Sequence, residues 1–119
     1  MKTYKIGKIE VFSRNLKPHK SWSAADRMCK NLGEGWRLPS IEELKYLFEF
    51  YNLGLLNLDI KDDDFVGYWS DSINGSPTKS NDFDCEVFYY RTLEGYDDTV
   101  WEPGFGSVAW EVRPVRSIV

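Results

Sequence analysis

The sequence predicts an α+β fold with two helices and an antiparallel sheet. Three observations lead to this fold class. A short strand pattern comes first, two helix patterns follow it in quick succession, and several short strand patterns fill the second half of the chain. No linker or internal repeat divides the 119 residues, a length that one domain with its own core accounts for, so residues 1–119 form a single domain.

The N-terminal part predicts one strand and one loop. Apolar residues recur in partial alternation over Ile6–Phe12, which is typical of a strand. The segment Asn15–Lys20 contains Pro18 and the single histidine, His19, and is interpreted as a surface loop. One histidine excludes a three-histidine zinc site, and nothing in the sequence assigns His19 an acid–base role.

The first helix pattern begins after Ser23, which is a good N-cap residue. Asp26 stands three residues later, at the position of a capping box. Gly33 is suited to end the helix. The apolar stripe consists of Ala25, Met28, Cys29 and Leu32.

The second helix pattern is the clearest local signal in the chain. Ser40 and Glu43 form a capping box, and Gly54 can adopt the left-handed conformation that stops a helix. The apolar residues recur every three or four positions and therefore share one face. They are Ile41, Leu44, Leu47, Phe48 and Tyr51.

The second half predicts several short strands around a long polar loop. The segment Asp71–Asp84 is rich in Ser, Asn, Asp and Gly and is interpreted as that loop, with a turn at Asn74-Gly75. Pro114 cannot donate to a ladder and marks an edge or a bulge in the last strand. The predicted strand segments are one that starts at 67–70, Glu86–Thr92, a short one at Thr99–Glu102, and Ser107–Ile118, with a turn at Leu93–Asp98.

Charge and cysteine content restrict the partners and the compartment. A net charge of −4 argues against nucleic acid or an anionic membrane surface as partner, and no apolar run is long enough to span a membrane. Cys29 and Cys85 are either two buried thiols or one disulfide. The N-terminus lacks the apolar region of a secretion signal, so we expect a cytoplasmic protein if Met1 is the native start, and a cell-surface or secreted one if a signal was removed.

Three motifs in this order resemble those of a bacterial family of C-type-lectin-like domains. They are GWRLPSIEEL at 35–44, YWSDS at 68–72 and VRPVR at 112–116. The family is the Lcl-C domain, found at the C-terminus of collagen-like bacterial adhesins. The resemblance covers roughly Trp22 to Arg116, and the first motif is the most specific of the three.

The resemblance implies a C-type-lectin-like fold, in which two helices flank a small, twisted antiparallel sheet. It also implies paired first and last strands and a long loop region that binds a ligand. It implies adhesion to glycans or host surfaces as a function. Calcium-dependent sugar binding is not implied, because Glu102-Pro103-Gly104 has a glycine where a ligand side chain would be needed. We therefore expect no metal and no cofactor.

The candidate binding residues lie in the segments Asp71–Asp84 and Tyr96–Glu102. Trp101 is the candidate for stacking on a ligand, whereas Trp36, Trp69 and Trp110 are interpreted as core. The full candidate set is Asn74, Asn81, Asp82, Asp84, Tyr96, Asp98, Trp101 and Glu102.

Two other charged features have simpler interpretations. The acidic run Asp62–Asp64 lacks the alternating spacing of a calcium loop and is interpreted as solvated. Arg37 is expected to tie its loop to carbonyls or to a carboxylate.

Two functions fit these observations. The first is a non-catalytic module that recognises a glycan or a protein through its loops. The alternative is a structural or assembly subunit of a phage, fimbrial or surface complex. The sequence pairs no nucleophile with a base and shows no phosphate-binding loop, so no catalytic residue is assigned. The oligomeric state is not predicted.

Overall fold

The computed structural model of the protein describes residues 2–58, 60, 65–74, 84–91 and 95–118. Within these residues the chain forms two helices and eight strands. The helices are α1 (Trp22–Lys30) and α2 (Ile41–Asn52). The strands are β1 (Thr3–Ile6), β2 (Ile9–Phe12), β3 (Leu16–Ser21), β4 (Phe65–Asn74), β5 (Asp84–Arg91), β6 (Tyr96–Pro103), β7 (Phe105–Val112) and β8 (Val115–Ser117).

The strands form two sheets in the part of the chain that the structure describes. One has the order β1-β2-β8, and the other has the order β3-β7-β4-β5-β6. Neighbouring strands pair antiparallel except β4 and β7, which run parallel where Tyr68 lies opposite Glu111. The predicted α+β class is confirmed, but the prediction of one small, wholly antiparallel sheet is wrong.

The predicted first and last strand segments do pair, but each of them is divided into two strands. The predicted strand Ile6–Phe12 contains a turn at Gly7, whose φ of 59° favours glycine and folds the segment into the β1–β2 hairpin. The last strand, β8, pairs with β2, where Val11 lies opposite Val115. Apolar alternation across residues 6–12 did not reveal the turn, because the strands on its two sides continue the same pattern.

The segment predicted as a surface loop at Asn15–Lys20 is mostly strand β3. It pairs with β7, and half-buried His19 lies opposite Trp110. Pro18 suggested a loop, but β3 is an edge strand, and an edge strand tolerates a residue without an amide proton.

Helix α1 begins two residues earlier than predicted. Its N-cap is Ser21, whose Oγ accepts the amide of Ala24 at 3.3 Å, while Ser23 lies inside the helix. Asp26 does not complete a capping box, and instead pairs with Lys30 at 2.8 Å.

Helix α2 confirms the strongest local prediction. The Ser40 amide donates to Glu43 Oε1 at 2.8 Å, and the Glu43 amide donates to Ser40 Oγ at 3.1 Å. Gly54 follows the helix with φ 75°. The side chains of Ile41, Leu44, Leu47 and Phe48 are buried.

Two strands of the second half extend beyond their predicted bounds. β4 continues to Asn74, so the predicted loop Asp71–Asp84 begins too early, and β6 starts at Tyr96 and not at Thr99. Pro114 interrupts the predicted last strand and separates β7 from β8.

The larger sheet carries a helix on each side, and we name its two faces after them. On the α2 face, Tyr68 and Phe88 pack with Phe48 of α2. On the α1 face, Trp69 and Val87 form a second core with α1 and β7. Side chains of β4 and β5 alternate between these two cores, as the pleat of a strand requires.

Candidate functional site

The side chains of β6 alternate between the two faces. Val100 lies opposite Val87, which belongs to the α1-face core. Directly opposed residues of an antiparallel pair point to the same side, so Val100 lies on the α1 face. Asp98 and Glu102, two positions away on either side, share that face, and Trp101 lies on the α2 face.

The α1 face carries an open groove that no residue of α1 lines. It consists of two depressions, of about 370 and about 300 Å³, and Trp110 lines both of them. We call it the Trp110 groove. Its apolar and aromatic lining residues are Phe65, Val66, Tyr89, Val100, Val108, Ala109 and Trp110, and its charged ones are Arg91, Asp98, Glu102 and Glu111.

The floor of the groove depends on close packing of Trp110 against β4. A Cβ atom at Gly67 would lie 2.3 Å from Cε3 of Trp110, so only glycine lets the ring rest on the backbone there. Trp110 is itself only 7% exposed. The indole therefore forms a fixed apolar floor.

The walls of the groove leave apolar surface open to solvent. Phe65 stacks on Tyr89 with ring centroids 4.8 Å apart, yet it is 41% exposed. Val100 is 37% and Val108 46% exposed. Grouped apolar exposure of this kind is typical of a surface that binds a partner.

Three charged side chains of the groove lie at defined positions on β5 and β6. The Arg91 guanidinium carbon lies 5.4 Å from the centroid of the Tyr89 ring. Asp98 and Glu102 are four residues apart on β6, which separates their Cα atoms by roughly 13 Å at about 3.3 Å per residue. Asp98 Oδ1 accepts the backbone amide of Thr99 at 2.8 Å.

Only some of the predicted binding residues reach this groove. Asp98 and Glu102 line it. Asn74 and Asp84 lie opposite each other across β4 and β5, on strands and not on the predicted loop. The remaining predictions in this region, Asn81 and Asp82, lie outside the described residues, as do the acidic run Asp62–Asp64 and the side chain of Tyr96.

Trp101 does not join Asp98 and Glu102. It is 51% exposed, as expected for a ring that contacts a ligand, but it lies opposite Glu86 on the α2 face. The segment Tyr96–Glu102 was predicted to present one loop face. That prediction is wrong, because the whole segment belongs to β6 and the alternation of the strand divides its side chains between two faces.

Sequence reasoning missed the apolar walls of the groove. Phe65, Val100 and Val108 sit on three different strands, β4, β6 and β7. Their proximity follows from strand order and register, which one sequence does not specify. Trp110 was predicted to be core and is buried, but the prediction did not include its second role as a groove floor.

Arg37 has the structural role that the sequence predicted. Its guanidinium donates to both carboxylate oxygens of Glu43, at 2.7 and 2.9 Å, and to Ser117 Oγ at 3.0 Å. Burial raises the pKa of the Glu43 carboxyl, but hydrogen bonds from Arg37 and from the Ser40 amide outweigh this, so that the pKa lies below its usual value. The pair anchors the start of α2.

The two cysteines are free and buried, so the disulfide alternative is wrong. Burial raises the pKa of Cys29 and of Cys85 to about 12. Both side chains are therefore thiols at neutral pH, and the thiolate that a nucleophilic or metal-binding cysteine needs is disfavoured.

Two further classes of site were sought. Among the side chains that the structure describes, no group of three or more His, Cys, Asp or Glu could hold a metal ion. No helix in the described ranges is long and apolar enough to cross a membrane.

Comparison with known proteins assigns no family to the chain. It matches no protein-family model, and a search of curated proteins finds no significant match. The resemblance to the Lcl-C domain therefore rests on the three sequence motifs and stays a prediction.

Proposed function

We propose that the protein is a non-catalytic recognition module that binds a polypeptide ligand in the Trp110 groove. The observation that carries this proposal is the open apolar surface itself. Phe65, Val100 and Val108 are exposed around a buried indole on a rigid sheet, with charged side chains beside them. Apolar surface with a few polar groups is the usual composition of a binding site.

The composition of the walls favours a polypeptide over a glycan. Val100 and Val108 offer aliphatic surface, which packs against apolar side chains but provides no ring face for a sugar. Phe65 already stacks on Tyr89, and the most exposed tryptophan, Trp101, is on the other face. The Lcl-C resemblance supports binding only by analogy, because a fold does not determine a ligand.

The two carboxylates lie at separate places along β6. Cα atoms roughly 13 Å apart hold Asp98 and Glu102 at the two ends of a stretch of strand. Their positions suit contacts with two separate groups of a long ligand.

The experiment is a screen of the purified protein against a displayed random-peptide library and a glycan array. Hits are then titrated against Val100→Asp and against Leu55→Asp, a matched change at a residue that is 66% exposed and does not line the groove. We expect peptide hits whose affinity falls at least tenfold with Val100→Asp and is unchanged with Leu55→Asp.

Other results would change or end the proposal. Hits on glycans alone, lost with Val100→Asp, would make the ligand a carbohydrate. Peptide hits whose affinity is unchanged by Val100→Asp would contradict ligand binding in the groove. An absence of hits in both the peptide library and the glycan array would contradict it too.

An assembly subunit is the second candidate, and a separate surface favours it. Leu53 and Leu55 are 72% and 66% exposed, and Leu55 borders a depression of about 520 Å³ lined by Tyr4 and Tyr51. Light scattering tests this role. A stable oligomer that Leu55→Asp converts to a monomer would favour assembly through that surface.

A further inference from the structure

We infer that β6 binds an extended polypeptide segment as an additional strand, and that this segment has the pattern basic–x–apolar–x–basic. The inference rests on the proposed function, because it names the partner class and the binding mode for the Trp110 groove. Its structural basis is the position of β6 at the edge of the sheet, beside that groove.

The outer side of β6 has no strand partner among the described residues. β6 is the last strand in the order β3-β7-β4-β5-β6, and β5 pairs with it along all eight of its residues. An edge strand presents a row of amide and carbonyl groups that an extended segment can complete. The length of β6 is enough for a recognition segment of five to seven residues.

One hydrogen bond shows which amides face outward. The Thr99 amide donates to the Asp98 side chain of its own strand, at 2.8 Å. Successive amides of a strand point to opposite sides, so the amides of Asp97 and Trp101 face the same outer edge as that of Thr99. Asp98 thus covers the central donor of the edge, and a carbonyl of the incoming segment would take its place.

Side-chain positions on β6 then specify the pattern of the segment. Asp98, Val100 and Glu102 share the α1 face, and residues directly opposite them on an added strand would lie on that face too. Basic residues would pair with the two carboxylates. The central apolar residue would pack on Val100 and enter the groove above Trp110. The pattern is the same in both chain directions.

The same charges disfavour a second copy of this chain as the partner. An antiparallel pair of two β6 strands centred on Val100 would place Asp98 opposite Glu102 twice. Like charges directly opposite each other destabilise a sheet. With a net charge of −4 on the whole chain, a basic segment is the complementary partner.

The first test uses synthetic peptides with the wild-type protein. The probe is acetyl-TKTVTKT-amide, and acetyl-TETVTET-amide is the control with the same apolar residue and opposite charge. Isothermal titration is expected to show binding of the lysine peptide and at least tenfold weaker binding of the glutamate peptide, with the difference reduced at high salt. Equal affinities, or no binding of the lysine peptide, would overturn the inference.

The second test separates strand addition from simple occupation of the groove. One lysine peptide is N-methylated at the two threonines beside valine, and another at valine alone. In an added strand, either the amides of the two threonines or the amide of valine point toward β6 and donate hydrogen bonds to it. Methylation of those amides should therefore lower the affinity at least tenfold, while methylation of the others should change it by no more than about threefold. A loss of affinity on methylation of the threonines indicates antiparallel addition, and a loss of affinity on methylation of valine indicates parallel addition.

The two proposals fail in different ways. If both methylated peptides bind equally but Val100→Asp still abolishes binding, the groove recognises the peptide without strand addition, and only this inference is wrong. If library peptides and glycans all fail to bind, the proposed function is wrong as well.

Discussion

The two faces of the larger sheet show how helix coverage changes the role of similar side chains. On the α2 face, the ring of Phe48 lies 5.8, 5.0 and 4.7 Å from the rings of Tyr68, Phe88 and Tyr90. On the α1 face, no residue of α1 lines the Trp110 groove, and Phe65 is left 41% exposed there. Aromatic side chains under a helix stabilise the fold, while those beyond the helix remain available to a partner.

The largest expected effect is a loss of stability on the covered face. Phe48→Ala removes a ring that is 2% exposed and should lower the free energy of unfolding by about 3–5 kcal/mol, because the cavity cannot be filled by its neighbours. Phe65→Ala is the matched change on the open face and should cost about 1 kcal/mol or less. Urea denaturation measures both. Similar losses would mean that the groove belongs to the core.

The next effect tests the floor of the groove. Gly67→Ala places a Cβ 2.3 Å from Trp110 and should lower the free energy of unfolding by about 1–3 kcal/mol, since the indole must move. Gly106→Ala, where no atom lies within 4 Å of the new Cβ, is the control and should change stability by less than about 0.5 kcal/mol. If the two variants unfold alike, Trp110 is not fixed as described.

A smaller change in the free energy of unfolding is expected from substitutions at the starts of the two helices. Ser40→Ala removes half of the capping box of α2 and should cost about 1 kcal/mol. Ser23→Ala, at the residue wrongly predicted to cap α1, should stay within about 0.5 kcal/mol, because the cap is Ser21. A larger loss for Ser23→Ala than for Ser40→Ala would contradict the observed caps.

The smallest effect depends on pH and concerns the anchor of α2. The pKa of Glu43 is lowered in the folded state, so its ionised form stabilises the fold above the unfolded pKa of about 4.3, and this contribution is lost as pH falls through the folded value. Glu43→Gln should therefore be up to about 1 kcal/mol less stable than wild type at pH 7.

Unfolding titrations across the acidic range provide the check on Glu43. The difference between wild type and Glu43→Gln should shrink as pH falls below about 4. Glu42→Gln, an exposed neighbour in the same helical turn, should show a smaller difference at pH 7. If the difference in the free energy of unfolding between wild type and Glu43→Gln grew on acidification, the ionised Glu43 carboxylate would not be the stabilising form.

The candidate site was predicted only in part. Asp98 and Glu102 were identified because the segments Asp71–Asp84 and Tyr96–Glu102 were assigned to one ligand-binding face. The same reasoning included Trp101, which the pleat of β6 sends to the other side. Val100 and Val108 carry no polar signal and lie on different strands, so their grouping required the register of the sheet.

The sequence by itself determined the features that depend on neighbours along the chain. The capping box at Ser40, the apolar stripe of α2, its stop near Gly54 and the strand character of β5 all follow from residues within a few positions of each other. Local hydrogen bonds and helical periodicity are short-range, and the residues that produce them are adjacent in the sequence.

Tertiary structure alone decided which strands are neighbours and which face remains open. The parallel contact of β4 with β7, the pairing of β3 with β7, and the groove that contains Phe65 and Val100 all bring together segments far apart in sequence. Pairing among such segments is chosen by burial of the whole apolar surface at once. A groove appears where two helices of nine and twelve residues do not cover all of that surface.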